Sequence, residues 1–258
     1  MIKLAANLSM LFPDAPFLDR FGRAAAAGFK GVEYIGPYDH GPEEVVRALK
    51  DGGLTQVLFN LPPGNWAAGE RGFAAIPGRE AEQADALRLA IDYARALDCP
   101  RLHVMAGIIP AGGDLEVARR TFVSNVQKAC DAAAPHGIQI LLEPINNRDM
   151  PGYFLNYQAQ ALGIMDAVAR PNLALQMDFY HAQVMEGDLT RKFQANLPRI
   201  GHLQIAGMPD RHEPDEGEVA YDWLLGTIAA SGYKGWIGCE YRPKGRTEDG
   251  LGWAEEWL

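Results

Sequence analysis

Residues 138–144 read IQILLEP, an apolar run that ends in a carboxylate at Glu143 and is followed at once by proline. Residues 173–178, LALQMD, repeat this form and end in Asp178. Short apolar runs bounded by turn residues are typical of strands in a parallel sheet. The two stretches therefore predict strands that each carry an acidic residue at the carboxyl end.

Similar strand-type runs alternate with helix-type runs along the whole chain. The predicted strands are Lys3–Asn7, Gly31–Ile35, Thr55–Asn60, Leu102–Met105, Ile138–Glu143, Leu173–Asp178, His202–Ile205 and Trp236–Glu240. Amphipathic or alanine-rich stretches predict helices, among them Pro16–Ala27, Pro42–Lys50, Arg79–Leu97, Leu115–Ala134 and Gln158–Val168. This alternation implies a parallel sheet with crossover helices. Eight units in 258 residues leave about 32 residues for each, which favours an α/β fold, a single (β/α)₈ TIM barrel over residues 1–258, against a doubly wound open sheet.

Each predicted strand carries a polar residue at its carboxyl end or within two positions of it, although the strand bodies are mostly apolar. These residues are Asn7, Glu33, Asn60, His103, Glu143, Asp178, Gln204 and Glu240. In a parallel barrel the carboxyl ends of the strands form the face that carries the active site. Unpaired charges in a confined site are costly, so we expect a bound cation to offset the carboxylates.

The last four strands also indicate which way these polar residues face, because side chains alternate along a strand. Residues on the same face are Leu141, Gln139, Gln176, His202 and Gly238. Residues on the other face are apolar, as packing on helices requires: Leu142, Met177, Leu203 and Cys239. This phase places Glu143, Asp178, Gln204 and Glu240 inside the barrel.

Three carboxylates and an amide oxygen form an all-oxygen ligand set. Such a set suits one hard divalent cation, Mg²⁺ or Mn²⁺, whereas zinc and copper usually take histidine or cysteine ligands. Each residue taken alone is equally well explained as a hydrogen-bonded polar residue of the interior. Their recurrence at the ends of four successive strands predicts a metal site at Glu143, Asp178, Gln204 and Glu240.

Further residues lie where a substrate would be expected. His181 closely follows Asp178, and Arg211 follows the seventh strand; its planar guanidinium suits a substrate carboxylate. Glu70 and Arg71 lie in the long segment Leu61–Gly78, a candidate cover for the active site. Charged loop residues are also common on solvated surfaces. Asn60 and His103 close strands three and four and are further candidates for substrate contact, although His103 would also suit an interior hydrogen bond.

Composition restricts the class of protein. A net charge of −9 argues against a nucleic-acid partner, which needs a basic face. The start of the chain lacks the apolar region of a signal peptide, and no run is long and apolar enough for a membrane span. Three separated cysteines predict reduced thiols in a cytoplasmic protein.

A GxSxG elbow, a GxGxxG turn and a phosphate-binding loop are all missing from the sequence.

The chain resembles the hydroxypyruvate isomerase family, within the wider group of xylose-isomerase-like barrels. The motifs run from end to end: ANLSMLF, NWAAGERG, IPGRE, LLEPIN with MPGYF, YHAQ with MEGDLT, GHLQ and GWIGCEY. The resemblance implies the same four metal ligands, with Glu143 and Glu240 as the acid/base pair. Comparison with the related ketose 3-epimerases implies that His181 and Arg211 contact substrate; those relatives carry histidine where this chain has Gln204. Two segments, HVMAG and QIAGMPDRHEPDEGE, look more like the sister group of 2-oxo-tetronate isomerases.

The function expected from this resemblance is the interconversion of hydroxypyruvate and 2-hydroxy-3-oxopropanoate (tartronate semialdehyde) through a cis-enediolate. Alternatives within the fold are a 2-oxo-tetronate isomerase acting on a four-carbon sugar acid and a ketose 3-epimerase. Alternatives of other classes are a metal-dependent phosphodiesterase, which would need a histidine-rich site and a basic face, and a barrel that has lost catalysis. The expected partner is a small hydroxy-carbonyl acid, with no nucleic acid or membrane, and a homo-oligomer is open because closed symmetric oligomers are common.

Overall fold

Eight parallel strands close into a barrel in chain order in the computed structural model, which describes residues 2–258. The strands are β1 Leu4–Asn7, β2 Gly31–Tyr34, β3 Thr55–Asn60, β4 Arg101–His103, β5 Gln139–Leu142, β6 Leu173–Asp178, β7 Ile200–Ile205 and β8 Ile237–Cys239. Strand β1 pairs with β2 on one side and with β8 on the other, so the sheet has no free edge. The predicted (β/α)₈ fold is confirmed, and the open sheet is excluded.

Helices follow the strands and form the outer layer. They are α1 Phe17–Ala26, α2 Pro42–Gly52, α3 Glu80–Ala96, α4 Leu115–Ala133, α5 Gln158–Val168, α6 Phe179–Met185, α7 Leu189–Asn196 and α8 Tyr221–Ala230. The five predicted helices all form, with ends that differ by at most two residues. Asp114 caps α4 by accepting hydrogen bonds from the backbone N–H groups of Glu116 (2.8 Å) and Val117 (3.1 Å). Among residues 2–258, the helices are too short or too polar to cross a bilayer.

Strands β5 and β8 each end one residue earlier than predicted, which places Glu143 and Glu240 just beyond them. Pro144 has no N–H with which to extend the ladder past Glu143. The Glu240 N–H still donates to Ile205 O at 3.1 Å, so Glu240 remains tied to β7. Both carboxylates therefore stand at the carboxyl-terminal rim of the barrel.

The inward and outward faces follow the predicted alternation. Leu142, Met177, Leu203 and Cys239 are fully buried and belong to the main core, which includes apolar residues of the surrounding helices. A separate small apolar cluster inside the barrel joins Ala5, Val57, Leu58, Leu141 and Ala174. Register pairs Asp178 with Gln204 and Gln204 with Gly238, so these three inward positions lie side by side around the barrel.

The barrel interior also holds a buried carboxylate, Glu33 of β2. It accepts hydrogen bonds from Asn7 Nδ2 (3.0 Å) and Gln204 Nε2 (2.8 Å), and its Oε2 lies 2.6 Å from His202 Nε2. Gly238 leaves the space that this carboxylate occupies, since a Cβ at Gly238 would collide with it. Glu33 thus lies inside the barrel, in the layer of side chains next to the carboxyl-terminal ends of the strands.

Replacing Gly238 with alanine should lower the free energy of unfolding by about 1–3 kcal/mol, because the added methyl group overpacks the interior and displaces Glu33. Urea unfolding of the purified variant measures this change. The matched control is Gly226→Ala in α8, where a Cβ would meet nothing within 4 Å. That control should be stabilised by about 0.5–1 kcal/mol, because alanine favours a helix interior. Equal stability of the two variants would contradict the predicted crowding at Gly238.

Candidate active site

A cavity of about 230 Å³ opens at the carboxyl-terminal face of the barrel, where the predicted strand-end residues meet. Residues that line it include Asn60, Trp66, Arg71, Glu143, His181 and Glu240. A larger depression of about 560 Å³ lies among Gln139, Arg170 and Ile200 at the opposite end. Its Arg170 already pairs with Asp131 at 2.6 Å. The cavity at the strand ends is therefore the candidate active site.

Buried carboxylates and an imidazole converge at the base of this cavity. One ligand atom from each of Glu143, Asp178 and His181 lies within 4.8 Å of the others. His181 Nε2 is 3.7 Å from Glu143 Oε1 and 3.6 Å from Asp178 Oδ2. Asp178 also caps α6 by accepting from Tyr180 N at 2.7 Å, which fixes its carboxylate at the end of β6. The carboxylate oxygens of Glu143 and Asp178 in this group are donors that a divalent cation would accept.

Arg211 links two of the site's carboxylates. Its Nη2 lies 2.8 Å from Glu240 Oε2 and 3.3 Å from Asp178 Oδ2, and its Nε donates to Glu240 O at 3.2 Å. The residue is buried and has a positive φ of 61°, in the segment that returns after β7. Its guanidinium is thus committed to the protein's own carboxylates.

Burial and mutual repulsion disfavour ionisation of these carboxyl groups. The pKa of Glu143 is raised well above its usual value by burial, and then by the charges of Glu240 and Asp178. Burial raises the pKa of Glu240 to about 8, against the opposing influence of Arg211. Burial likewise raises the pKa of Asp178, and Arg211 again opposes the shift. One guanidinium does not balance three carboxylates, so a divalent cation would complete the charge balance of this site.

The fourth predicted metal ligand, Gln204, lies beside Asp178 but is already hydrogen-bonded. Its Oε1 accepts from Gln176 Nε2 at 2.6 Å, while its Nε2 donates to Glu33. The second lone pair of Oε1 leaves one acceptor direction for a cation. Asn7 extends this layer, since its Nδ2 contacts both Glu33 and Glu240 Oε1 (3.2 Å). The alternation along the strands had indicated that Gln176 and His202 face inwards. It did not indicate that Gln176 and Glu33 would hydrogen-bond to Gln204, or that His202 would contact Glu33.

The tautomer of His181 follows from its neighbour Asn146. The backbone N–H of Asn146 donates to His181 Nδ1 (3.4 Å), and its side-chain Nδ2 lies 2.7 Å from the same nitrogen. Asn146 Oδ1 accepts from Asp149 N at 2.7 Å, which fixes the orientation of the amide. His181 Nδ1 is therefore the acceptor, and Nε2 carries the proton that faces the cavity. A protonated Nε2 suits a hydrogen bond to substrate better than a bond to a metal.

The remaining candidates occupy different places. Asn60 lines the cavity, and His103 is buried with Nδ1 3.4 Å from Glu143 Oε2. Burial lowers the pKa of His103 to about 3, and neither ring nitrogen forms a hydrogen bond within the described chain. An unpartnered imidazole beside Glu143 is consistent with a site that is completed by a ligand. The structure does not bring Glu70 to the cavity; it accepts from Asn65 N and pairs with Arg79.

Other residues around the cavity had weaker signals in the sequence. Arg71, which the sequence places with Glu70 in the predicted cover segment, lines the cavity, and so does Trp66 from the same segment. Asp149 and Arg242 also line the cavity. Arg242 lies two residues beyond Glu240, which is the only feature of the sequence that could have indicated it. Loop residues lack the alternation that identified the strand ends.

A (β/α)₈ barrel with buried acidic residues at the carboxyl ends of its strands defines a barrel enzyme of the xylose isomerase type. The chain belongs to the family described as "Xylose isomerase-like TIM barrel", which matches residues 21–257. It is 50% identical to the 2-oxo-tetronate isomerase of Cupriavidus necator, over 100% of this chain and 99% of that protein. It is 47% identical to the hydroxypyruvate isomerase of Escherichia coli K12, over 100% of both chains.

A solved structure named AP endonuclease, family 2, from Brucella melitensis superposes with a TM-score of 0.98 at 53% identity, over 100% of this chain and 99% of that one. The full-length relatives named as isomerases confirm the predicted resemblance. This chain is accordingly an enzyme of the isomerase class, similar to the hydroxypyruvate and 2-oxo-tetronate isomerases.

Proposed function

We propose that this enzyme uses one divalent cation to move a proton between adjacent carbons of a small hydroxy-oxo acid. The observation that carries the proposal is the arrangement of Glu143 and Glu240, two buried carboxylates that line the same cavity. Asp178 lies beside them, bridged to Glu240 by Arg211. Two carboxylates around one reacting centre suit removal and return of a carbon-bound proton.

The residues proposed to hold the cation are Glu143, Asp178, Gln204 and Glu240, and Mg²⁺ or Mn²⁺ suits their oxygen atoms. When bound, the cation supplies Lewis-acid stabilisation of the negative charge that develops on the substrate's oxygens. Burial of Glu143, Asp178 and Glu240 supports this assignment, because a single guanidinium leaves their charges poorly compensated, and Gln204 beside them keeps one acceptor direction free.

One of Glu143 and Glu240 removes the proton from the carbon that bears the hydroxyl group, which yields a cis-enediolate. The other, or the same one after relay, returns a proton to the former carbonyl carbon, while the hydroxyl proton passes to the former carbonyl oxygen. His181 Nε2–H, 3.7 Å from Glu143 Oε1, is positioned to donate to a substrate oxygen. Asn60, at the end of β3, lines the cavity and would contact the substrate, whereas His103 of β4 is buried beside Glu143 and does not line the cavity.

The preferred substrate is proposed to be the four-carbon acid 2-oxo-tetronate, with hydroxypyruvate as the second candidate. Relatives at 50% and 49% identity carry the name 2-oxo-tetronate isomerase; the hydroxypyruvate isomerase of Escherichia coli follows at 47%, ahead of a third 2-oxo-tetronate isomerase at 44%. Two segments of this chain that follow β4 and β7 also resemble that sister group. Proton transfer from C3 to C2 of 2-oxo-tetronate would give its 3-oxo isomer; hydroxypyruvate would give 2-hydroxy-3-oxopropanoate.

¹H NMR in D₂O tests this function directly. Purified protein with Mg²⁺ or Mn²⁺ is incubated in parallel with 2-oxo-tetronate, hydroxypyruvate and the ketose tagatose, and each reaction is repeated with a chelator. We expect the highest kcat/KM for 2-oxo-tetronate, with solvent deuterium at C2 of the product. Faster conversion of hydroxypyruvate would reverse the substrate order. Epimerised tagatose as the main product, or no exchange with any compound, would overturn the proposal.

A further inference from the structure

We infer that Arg71 is the specificity-determining residue that binds the carboxylate of an acid substrate; this inference rests on the proposed function. Arg71 lies in the segment between β3 and α3 and lines the same cavity as Glu143 and Glu240. Its guanidinium stacks on the ring of Trp66, with 3.7 Å between the guanidinium carbon and the ring centroid. A stacked, planar guanidinium leaves its edge free for two parallel hydrogen bonds to a carboxylate.

Arg211 is the obvious alternative, but its charge is already used. Its guanidinium lies 2.8 Å from Glu240 and 3.3 Å from Asp178. Among residues 2–258, neither of these carboxylates forms an ion pair with another arginine or with a lysine. With a divalent cation in place, Arg211 and the cation would balance Glu143, Asp178 and Glu240 without excess. The base of the cavity therefore has no spare positive charge for an anionic substrate.

Arg71, by contrast, has no carboxylate partner within residues 2–258. Its hydrogen bonds are both made by Nη1, to the backbone oxygens of Trp66 (3.0 Å) and Glu70 (2.7 Å). Nε and Nη2 form none within that part of the chain. Backbone carbonyls orient a guanidinium without neutralising it, so Arg71 keeps its full charge and a free donor edge.

Contacts on both sides of Arg71 hold it at the rim. Glu70 pairs with Arg79 and accepts from Asn65 N, which ties the preceding residue to the start of α3. Gly72 forms a β-bridge with Ala106, and any Cβ at Gly72 would collide with Met105. The backbone around Arg71 is thus anchored to the segments that follow β3 and β4, and a carboxylate would meet a side chain that is already oriented.

The discriminating experiment is steady-state kinetics of Arg71→Gln on whichever of 2-oxo-tetronate and hydroxypyruvate the wild type converts better. Loss of a charge that contacts only the unreacting carboxylate should raise KM by about 30- to 100-fold while kcat stays within about threefold. General damage to the site would instead lower kcat. Arg71→Lys should show a smaller increase in KM than Arg71→Gln, since lysine restores the charge but not the planar guanidinium.

Arg242→Gln is the matched rival, because Arg242 is an exposed arginine that lines the same cavity. A larger increase in KM for Arg242→Gln than for Arg71→Gln would overturn the assignment, and so would an unchanged KM in Arg71→Gln.

Binding of D-erythronate, an unreactive four-carbon acid, and of its neutral counterpart erythritol provides an independent measurement by calorimetry. Arg71→Gln should weaken erythronate binding by about 30-fold or more and leave erythritol unchanged. If the wild type converts neither acid but binds erythronate through Arg71, the proposed function fails and the carboxylate site stands. Equal erythronate affinity in the wild type and the variant would refute the carboxylate site whatever the reaction.

Discussion

Replacing Glu240 with glutamine should lower kcat by about 10³-fold, because the variant loses one of the two groups that exchange a proton with substrate carbon. Glutamine has nearly the same shape, and its carbonyl oxygen can still accept from Arg211, which donates to Glu240 Oε2 at 2.8 Å in the wild type. The fold should therefore persist, as circular dichroism and thermal unfolding would show. Activity above about a tenth of the wild-type value would refute the assignment of Glu240 to proton transfer.

The matched control is Glu218→Gln, which removes an exposed carboxylate from the segment between β7 and α8. Its contact is with Gln183 at 3.2 Å, away from the cavity, so its kcat should match that of the wild type. Deuterium exchange in D₂O then separates the roles of the two glutamates. If Glu143 is the base, the Glu240→Gln variant will still exchange the carbon-bound hydrogen of the substrate for solvent deuterium, while product formation stops. Loss of both exchange and product would assign the first proton transfer to Glu240 itself.

Removing the divalent cation should abolish turnover and lower the melting temperature. A ligand at 100 times its Kd stabilises the folded state by about 2.7 kcal/mol, which corresponds to roughly 5–10 °C for a chain of this size. Differential scanning fluorimetry with chelator, Mg²⁺ or Mn²⁺ measures the change, and activity should return with the metal. Full activity after exhaustive chelation would contradict the metal-dependent mechanism.

Asp178→Asn tests whether this stabilisation arises at the proposed site. Asparagine caps a helix as well as aspartate does, so the hydrogen bond to Tyr180 N and the start of α6 should survive. The variant should lose most of the metal-induced increase in melting temperature. Asp131→Asn is the control, since Asp131 is an exposed residue of α4 whose partner is Arg170. A metal-induced increase that is the same in both variants would place the cation elsewhere.

The pH dependence of metal binding follows from the raised pKa values. Without a cation, the folded protein keeps a proton on Glu240 up to about pH 8, whereas the ordinary value for this carboxyl is 4.5. The folded state then binds more protons than the unfolded state between these values, so rising pH lowers the free energy of unfolding of the metal-free protein. A cation that displaces the proton should bind more tightly as pH rises through this window. Calorimetry in two buffers of different protonation enthalpy should detect proton release on binding.

The strand ends show how much the sequence determined by itself. Alternation of strand-type and helix-type runs identified the barrel, and alternation of apolar and polar residues within the strands placed Glu143, Asp178, Gln204 and Glu240 on the inner face. This inference succeeded because the direction of a strand side chain depends on the local backbone, whose period is two. The residues that alternate with them along the strands, such as Leu203, are buried and apolar and face the helices, as this period requires.

The tertiary structure decided how the loop residues are used. Arg211 was predicted to contact the substrate; in the fold it lines the cavity and also contacts Asp178 and Glu240, which are 33 and 29 positions away in the chain. Glu70 and Arg71 are adjacent in the sequence, yet one turns to Arg79 and the other lines the cavity. A loop has no period from which to infer direction. Its side chains are oriented by contacts with residues distant in the sequence, and those contacts exist only once the barrel has closed.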